Sequence, residues 1–398
     1  LHDVDASVLV PDAAAVVPAP EPAASATARK RGGHIAELDG IRALAIWLVL
    51  AAHLLFQPPV TPAARAFIPA PLATILTHGW LGVDLFFVLS GFLITGILLR
   101  TKGLGRGAYF RGFYLRRTLR ILPLYFVILI VLYVAYRGHY GSYFALCAVL
   151  SANLATLARI PIPDAGGPFW SLGVEEQFYL FWPWIVLWLD ARRLVIAALV
   201  IIVAEPFLRM FANESELQLT WYRLDGLAMG SLLAAWFAFW DGDARSARAL
   251  AIGLAAVAIG ISVVGQPFGI NHEGPASTSF RITQAVCVFG ALLVVAVAFR
   301  GHPALGILRS PAAVTTAALS YCIYLVHRPL VDAFTATIGP TAWFSGLAPA
   351  ATTLLRIVAV VGAAYGLAAL SGRFLERPLQ RLGTPAKEAR PRPSPKAA

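Results

Sequence analysis

LDGIRALAIWLVLAAHLLF, residues 38–56, is of membrane-spanning length, yet it carries Arg42 near one end and His53 near the other. An α-helix rises about 1.5 Å per residue, so eleven positions make about three turns and set both side chains on one face, about 16 Å apart. A cation at one membrane surface thus stands in line with an imidazole well inside. Ionisable groups within a span cost about 2.5–3.5 kcal/mol on insertion scales, which makes them candidates for function. The structural alternative is an arginine snorkelling to lipid phosphate and a histidine bonded to a neighbouring helix.

The rest of the chain has the same character. Of 398 residues, 58% are hydrophobic and 13% charged, with a mean hydropathy of +0.71, too little polar surface to cover a soluble globule of 42.6 kDa. The expected fold class is an all-α polytopic membrane protein, a bundle of about ten transmembrane helices with one re-entrant or interfacial segment. Apolar stretches fall at 38–56, 80–99, 117–136, 172–189, 193–208, 221–240, 247–265, 281–299, 313–331 and 345–370, with 142–158 as a borderline case. With the N-terminus cytoplasmic and 142–158 not crossing, the basic segments Arg100–Arg120, Arg192–Arg193, Arg245–Arg248, Arg300–Arg309 and Arg373–Arg381 all fall inside. The acidic Asn213–Glu216 then falls outside. This predicts a bacterial inner-membrane protein with both termini cytoplasmic. It also accounts for the net charge of +11 without any nucleic-acid partner.

Residues 1–33, rich in Ala and Pro and lacking an apolar core behind a basic start, read as a disordered N-terminal tail rather than a signal peptide. Residues 382–398 read as a disordered basic C-terminal tail, which leaves 34–381 as one membrane domain. Cys147, Cys287 and Cys322 stand isolated in apolar surroundings, so neither a disulfide framework nor a metal site is expected.

Polar residues collect at two depths. On the expected inner side, FYLRRTLRILP at 113–123 places Arg116 and Arg120 on one helical face with Arg117 beside them. Planar guanidinium forks suit phosphate oxygens, although juxtamembrane arginines also serve topology and anionic lipid. On the expected outer side, PFWSLGVEEQFYLFWPW at 168–184 suggests a helix capped by Ser171, with Glu175 and Glu176 in its first turn. These two carboxylates differ by about 100° around the axis, so one can face the bundle and the other water. GWLGVDLFFVLSGFLITGILL at 79–99 carries Asp84 and a small Ser90-Gly91 step, which permits close helix packing or a close-lying ligand. YRLDGLAMG at 222–230 adds Arg223 and Asp225, which can pair with each other, and SYCIYLVHRPL at 320–330 adds His327, which can face the surface beside Arg328. There is no nucleophile elbow, phosphate loop or H-E-x-x-H. The D-x-D of Asp241 and Asp243 reads as a solvated turn.

Four strings occur in a telling order: R-x10-H from Arg42 to His53, F-F-x-x-S-G from Phe86 to Gly91, R-R-x-x-R from Arg116 to Arg120, and W-S-L-x-V-E-E-Q-F from Trp170 to Phe178. Together, over about residues 36–380, they resemble the membrane-embedded acyltransferase-3 family of O-acetyltransferases. The resemblance implies transfer of an acetyl or other short acyl group from acetyl-CoA, or another acyl-CoA co-substrate, to a hydroxyl of a carbohydrate or a macrolide. No metal is implied, and membrane lipids are the surroundings. It makes His53 the general base, with Glu175 and Glu176 as the acidic pair, one orienting His53 and the other binding acceptor hydroxyls. Arg42, Arg116, Arg117 and Arg120 would hold the coenzyme, with Ser90 and Gly91 lining its path. Asp84, Trp170, Ser171, Arg223, Asp225 and His327 are the candidate acceptor contacts. Position 173 is Gly where many relatives have Ser, a change expected to loosen the helix start, and these 398 residues are expected to form no esterase-like domain of the kind some relatives carry. The rival reading is a transporter or flippase for a glycan or organic anion, whose inverted repeats this sequence lacks.

Overall fold

A computed structural model describes residues 34–56, 60, 65, 67–136, 138–265, 275–338 and 346–383. The expected tails, apart from residues 382 and 383, lie outside the described residues. Among the described residues the chain is helical: α1 Ala36–Leu55, α2 Ala70–Thr77, α3 Gly82–Thr101, α4 Arg106–Ala135, α5 Gly141–Ala148, α6 Phe169–Trp188 and α7 Ala191–Arg209. It continues through α8 Leu224–Phe239, α9 Ala244–Gly265, α10 Pro275–Ala298, α11 Pro311–Thr337, α12 Pro349–Ser371 and α13 Arg377–Leu382.

Each of the ten expected stretches falls largely on one helix, although the helix of 221–240 is only 16 residues long and residue 345 lies outside the described residues. Among the described residues six segments are long and apolar enough to cross a membrane by length and composition: Ala36–Leu55, Gly79–Thr101, Arg106–Ala135, Ala244–Gly265, Ser277–Ala298 and Pro349–Leu382. The chain is thus a multi-pass helical membrane protein. The outward faces of α4, α7, α9 and α12 are apolar, with Ile130, Val134, Val203, Val263 and Val358 all exposed. That surface suits lipid, where each helix satisfies its own backbone. The borderline stretch 142–158 forms only the eight-residue α5 and one 3₁₀ turn, Ala152–Leu154. The arginines of 106–120 are not in a loop: α4 starts eleven residues before the apolar stretch and carries them all.

The buried apolar side chains form two clusters. One lies mainly in α4, α5, α6, α11 and α12, the other mainly in α7 to α10; α1 and α3 contribute several side chains to both, and α8 and α7 add Leu227, Ala235 and Leu194 to the first. The seam between the two clusters therefore runs along α1, α3 and α8. Along it, α3 and α8 approach at glycines. A Cβ on Gly91 would stand 2.0 Å from Leu227 O, and one on Gly230 would stand 2.0 Å from Val88 O. Gly91 is therefore a packing residue that brings two backbones together, where a residue lining the donor's path was expected. Ionic ties fasten the ends. Arg309 Nη1 donates to Glu37 Oε1 at 2.7 Å, and the Gly301 amide donates to the same oxygen at 2.8 Å.

Candidate active site

Two cavities open along the seam. The first offers about 760 Å³ of space, part of it open to solvent, between α1, α3, α4, α6 and α11, and its wall includes Arg42, Ser90, Arg117, Arg120, Glu175 and Tyr179. The second offers about 950 Å³, likewise partly open, and is lined by His53, Trp80, Trp170, Arg223, Thr278 and His327, among others. Val83 and Tyr324 line both. The single helix α1 therefore gives its arginine to one cavity and its histidine to the other, as an eleven-residue spacing on one face requires.

At the guanidinium end, Glu175 is held by neutral donors. Ser90 Oγ donates to Glu175 Oε1 at 2.8 Å, and Tyr179 OH donates to Oε2 at 3.1 Å. The Arg117 guanidinium lies over the Tyr179 ring, 5.5 Å from its centroid. Helix phase separates the arginines of α4. Arg117 and Arg120, three positions apart, reach the cavity, whereas the Arg116 guanidinium folds back over Gly112 outside it. The expected pairing of Arg116 with Arg120 is thus replaced by Arg117 with Arg120.

At the histidine end, His53 Nδ1 lies 2.8 Å from Val49 O and His327 Nδ1 lies 2.6 Å from Tyr324 O. A carbonyl oxygen only accepts, so both Nδ1 atoms carry a proton and, in the neutral rings, both Nε2 atoms are bases. The ring centroids are 5.0 Å apart. His327 is 1% exposed and does not face the surface. Among the described residues neither Glu175 nor Glu176 hydrogen-bonds His53. Glu175 belongs to the other cavity, and Glu176 Oε1 is buried without a partner, lining neither cavity.

Other expected contacts have different partners. Arg223 Nη2 lies 2.9 Å from both oxygens of Asp84, and its guanidinium sits 5.1 Å from the Trp170 ring centroid in the second cavity. Asp225 pairs with Arg209 at 2.8 Å rather than with Arg223, and Thr283 donates to the same carboxylate at 3.0 Å. Asp84 and Asp225 therefore stand behind the cavity walls and line neither space. Ser171 caps nothing: α6 begins at Phe169, which puts Glu175 at the end of its second turn and Glu176 at the start of its third. Ser171 Oγ instead shares a 2.6 Å hydrogen bond with Tyr324 OH at the junction of the cavities and donates to Pro168 O at 3.2 Å. Gly173 does not loosen the helix. A Cβ there would stand 2.8 Å from Asn153 Oδ1, so the glycine admits Asn153, which bonds Gln177 and Thr220.

The residues missed in the sequence had signals of their own. Tyr179 lies four positions beyond Glu175, and Tyr324 lies three before His327, each on the face of its chemical partner. Glu205 and Arg209, paired at 3.1 Å, are ionisable residues inside an apolar run. The turn at Asp241 and Asp243 is solvated as expected. Backbone amides of Arg245 and Ser246 donate to Asp243 and hold its carboxyl below the usual range. Among the described residues no three His, Cys, Asp or Glu side chains converge to hold a metal ion.

A helical membrane bundle with guanidinium groups in one internal cavity and imidazoles in the next is a fold suited to moving a group from an anionic carrier to an acceptor. The sequence matches the acyltransferase-domain family over residues 35–372, and the chain belongs to that family, acyltransferase-3. It is 25% identical over 391 residues to the peptidoglycan O-acetyltransferase OatA of Listeria monocytogenes, covering 90% of this chain and 57% of that protein. It is 30% identical over 164 residues to the putative peptidoglycan O-acetyltransferase YrhL of Bacillus subtilis, covering 38% of this chain and 23% of that protein. A putative O-acetyltransferase of Staphylococcus aureus, SACOL0978, is 29% identical over 174 residues, covering 39% and 25%. The chain spans about half the length of the Listeria relative. No solved structure matches it.

Proposed function

We propose that this chain is a membrane O-acyltransferase that moves an acetyl group from acyl-CoA to a carbohydrate hydroxyl of the peptidoglycan type. The observation that carries the reading is the pair of cavities meeting at Val83 and Tyr324, one with Arg42, Arg117 and Arg120, the other with His53. Guanidinium groups bind phosphate oxygens through paired N–H donors, so the first cavity suits the phosphate-bearing end of the coenzyme. The thioester arm then runs past Ser90 and Tyr324 toward His53. Facing the arginine end to the cytoplasm gives the donor access from the compartment where coenzyme A is made. A peptidoglycan-type glycan is favoured over a macrolide as acceptor because two of the relatives are named for peptidoglycan.

His53 acts as general base in this reading. Its Nε2 takes the proton of the acceptor hydroxyl as that oxygen attacks the thioester carbonyl, the work of a lone pair set within hydrogen-bond reach of that hydroxyl. Glu175, held by Ser90 and Tyr179, balances the guanidinium charges of the donor cavity. Arg223, steadied by Asp84 and stacked on Trp170, offers its remaining N–H donors to acceptor oxygens. The test is transfer by the full chain in liposomes supplied with acetyl-CoA and peptidoglycan oligosaccharide. CoA release matched by ester formation is expected, and His53→Ala is expected to abolish both. Retained turnover in that variant removes the proposed base.

A further inference from the structure

His53 and His327 lie 274 positions apart in the chain, yet their rings meet with centroids 5.0 Å apart and planes at 68°. Each Nδ1 proton is committed to a carbonyl of its own helix, which leaves Nε2 as a lone pair in the neutral ring. Nε2 of His327 is enclosed and has no hydrogen-bond partner. A buried acceptor left without a donor asks for an explanation. Two imidazoles joined through one N–H···N bond of about 2.9 Å have centroids about 5 Å apart. The centroid separation in this pair matches that value, so one added proton can bridge the two Nε2 edges once the rings turn to face each other.

The neighbours narrow the choice of acceptor. Arg328 adjoins His327 on α11, Arg223 stands on the cavity wall, and Arg356 of α12 donates to Leu54 O beside His53. Arginines carry donors only. The Tyr324 hydroxyl is engaged with Ser171. In this group, Nε2 of His327 is the acceptor without a partner, set beside the ring that takes the proton.

We propose that His327 is a positioning residue that shares the proton His53 removes from the acceptor hydroxyl. The proposal rests on His53 acting as general base. In the step, the acceptor O–H bond breaks and its proton moves to Nε2 of His53. The oxygen's electron pair forms the new C–O bond to the acyl carbon, the C–S bond breaks, and its pair leaves on the sulfur of coenzyme A. The new N–H of His53 donates to Nε2 of His327, which spreads the positive charge over two rings until the thiolate recovers the proton. The hydrogen bond forms only as the proton moves, so it favours the transition state over the bound ground state.

The experiment is steady-state acetyl transfer by the full chain with acetyl-CoA and peptidoglycan oligosaccharide. His327→Leu, which fills the space without an acceptor, is expected to lower kcat about 10- to 100-fold, with each KM within about twofold. His327→Gln, whose amide oxygen can accept from His53, is expected to recover most of that loss. Unchanged kcat in His327→Leu, equal loss in both variants, or a loss carried by KM overturns the proposal. Where the Leu variant fails to fold, Gln is compared with the shorter Asn, and equal kcat overturns it. His53→Ala separates the two ideas. Turnover without His53 defeats its role as general base and the shared proton with it, and absence of transfer by the parent chain defeats the functional reading, whereas a dead His53→Ala beside an unimpaired His327→Leu defeats only the shared proton.

Discussion

Arg223 is fastened to Asp84, 139 residues earlier in the chain, and not to Asp225 two positions along. The pairing joins α3 to the start of α8 with both side chains buried. It leaves Arg223 aimed into the histidine-end cavity with its charge balanced from behind.

Asp84→Asn therefore strands a buried guanidinium. Breaking a buried pair costs about 3–5 kcal/mol, so the variant is expected to melt well below the parent in detergent. Replacing both partners by leucine is expected to recover much of that stability without restoring acceptor use. A double variant as unstable as the single one defeats the assignment of a simple pair.

The two neighbouring arginines of α4 are expected to differ in function. Arg117→Glu places a carboxylate in the first cavity, proposed to hold the donor, and is expected to raise the donor KM about tenfold or more while sparing the acceptor KM. Arg116→Glu, outside the cavity, is expected to stay within about twofold of the parent. Donor titrations at saturating acceptor decide the matter, and equal effects would make both arginines topology signals.

Gly91→Ala adds a methyl group 2.0 Å from Leu227 O, a clash with backbone that no rotamer relieves. Overpacking costs about 1–3 kcal/mol or more, so less folded protein is expected by fluorescence-detected size exclusion. Gly96→Ala is the control, since its added Cβ meets only the flexible Arg100 side chain at 3.3 Å. Similar yields from the two variants would contradict the close crossing of α3 and α8.

Gly173→Ser tests the seat of Asn153. The new Cβ stands 2.8 Å from Asn153 Oδ1, so the Asn153–Gln177–Thr220 bonds must shift. A loss of about 1–3 kcal/mol is expected in thermal unfolding. A variant as stable as the parent would show that the 150–155 segment yields easily.

Much of this was legible in the chain because it depends on local geometry. Apolar runs of spanning length specify helices, since in lipid a backbone has to satisfy its own hydrogen bonds. The R-x10-H spacing on α1 set a cation and an imidazole on one face at two depths, and the cavities lie where that spacing requires. The order of four short motifs sufficed to indicate the family.

What the sequence could not say is which long-range partner each polar side chain takes. Asp225 is near Arg223 along the chain but bonds Arg209, and Glu175 bonds Ser90 rather than the histidine that its family role suggested. Only the packing of α8 against α7, of α3 against α6 and α8, and of α1 against α11 decided these choices. A buried charge or lone pair takes the partner that tertiary packing brings within about 3 Å, and sequence distance has no part in that. For the same reason the meeting of His53 and His327 belongs to the folded bundle alone.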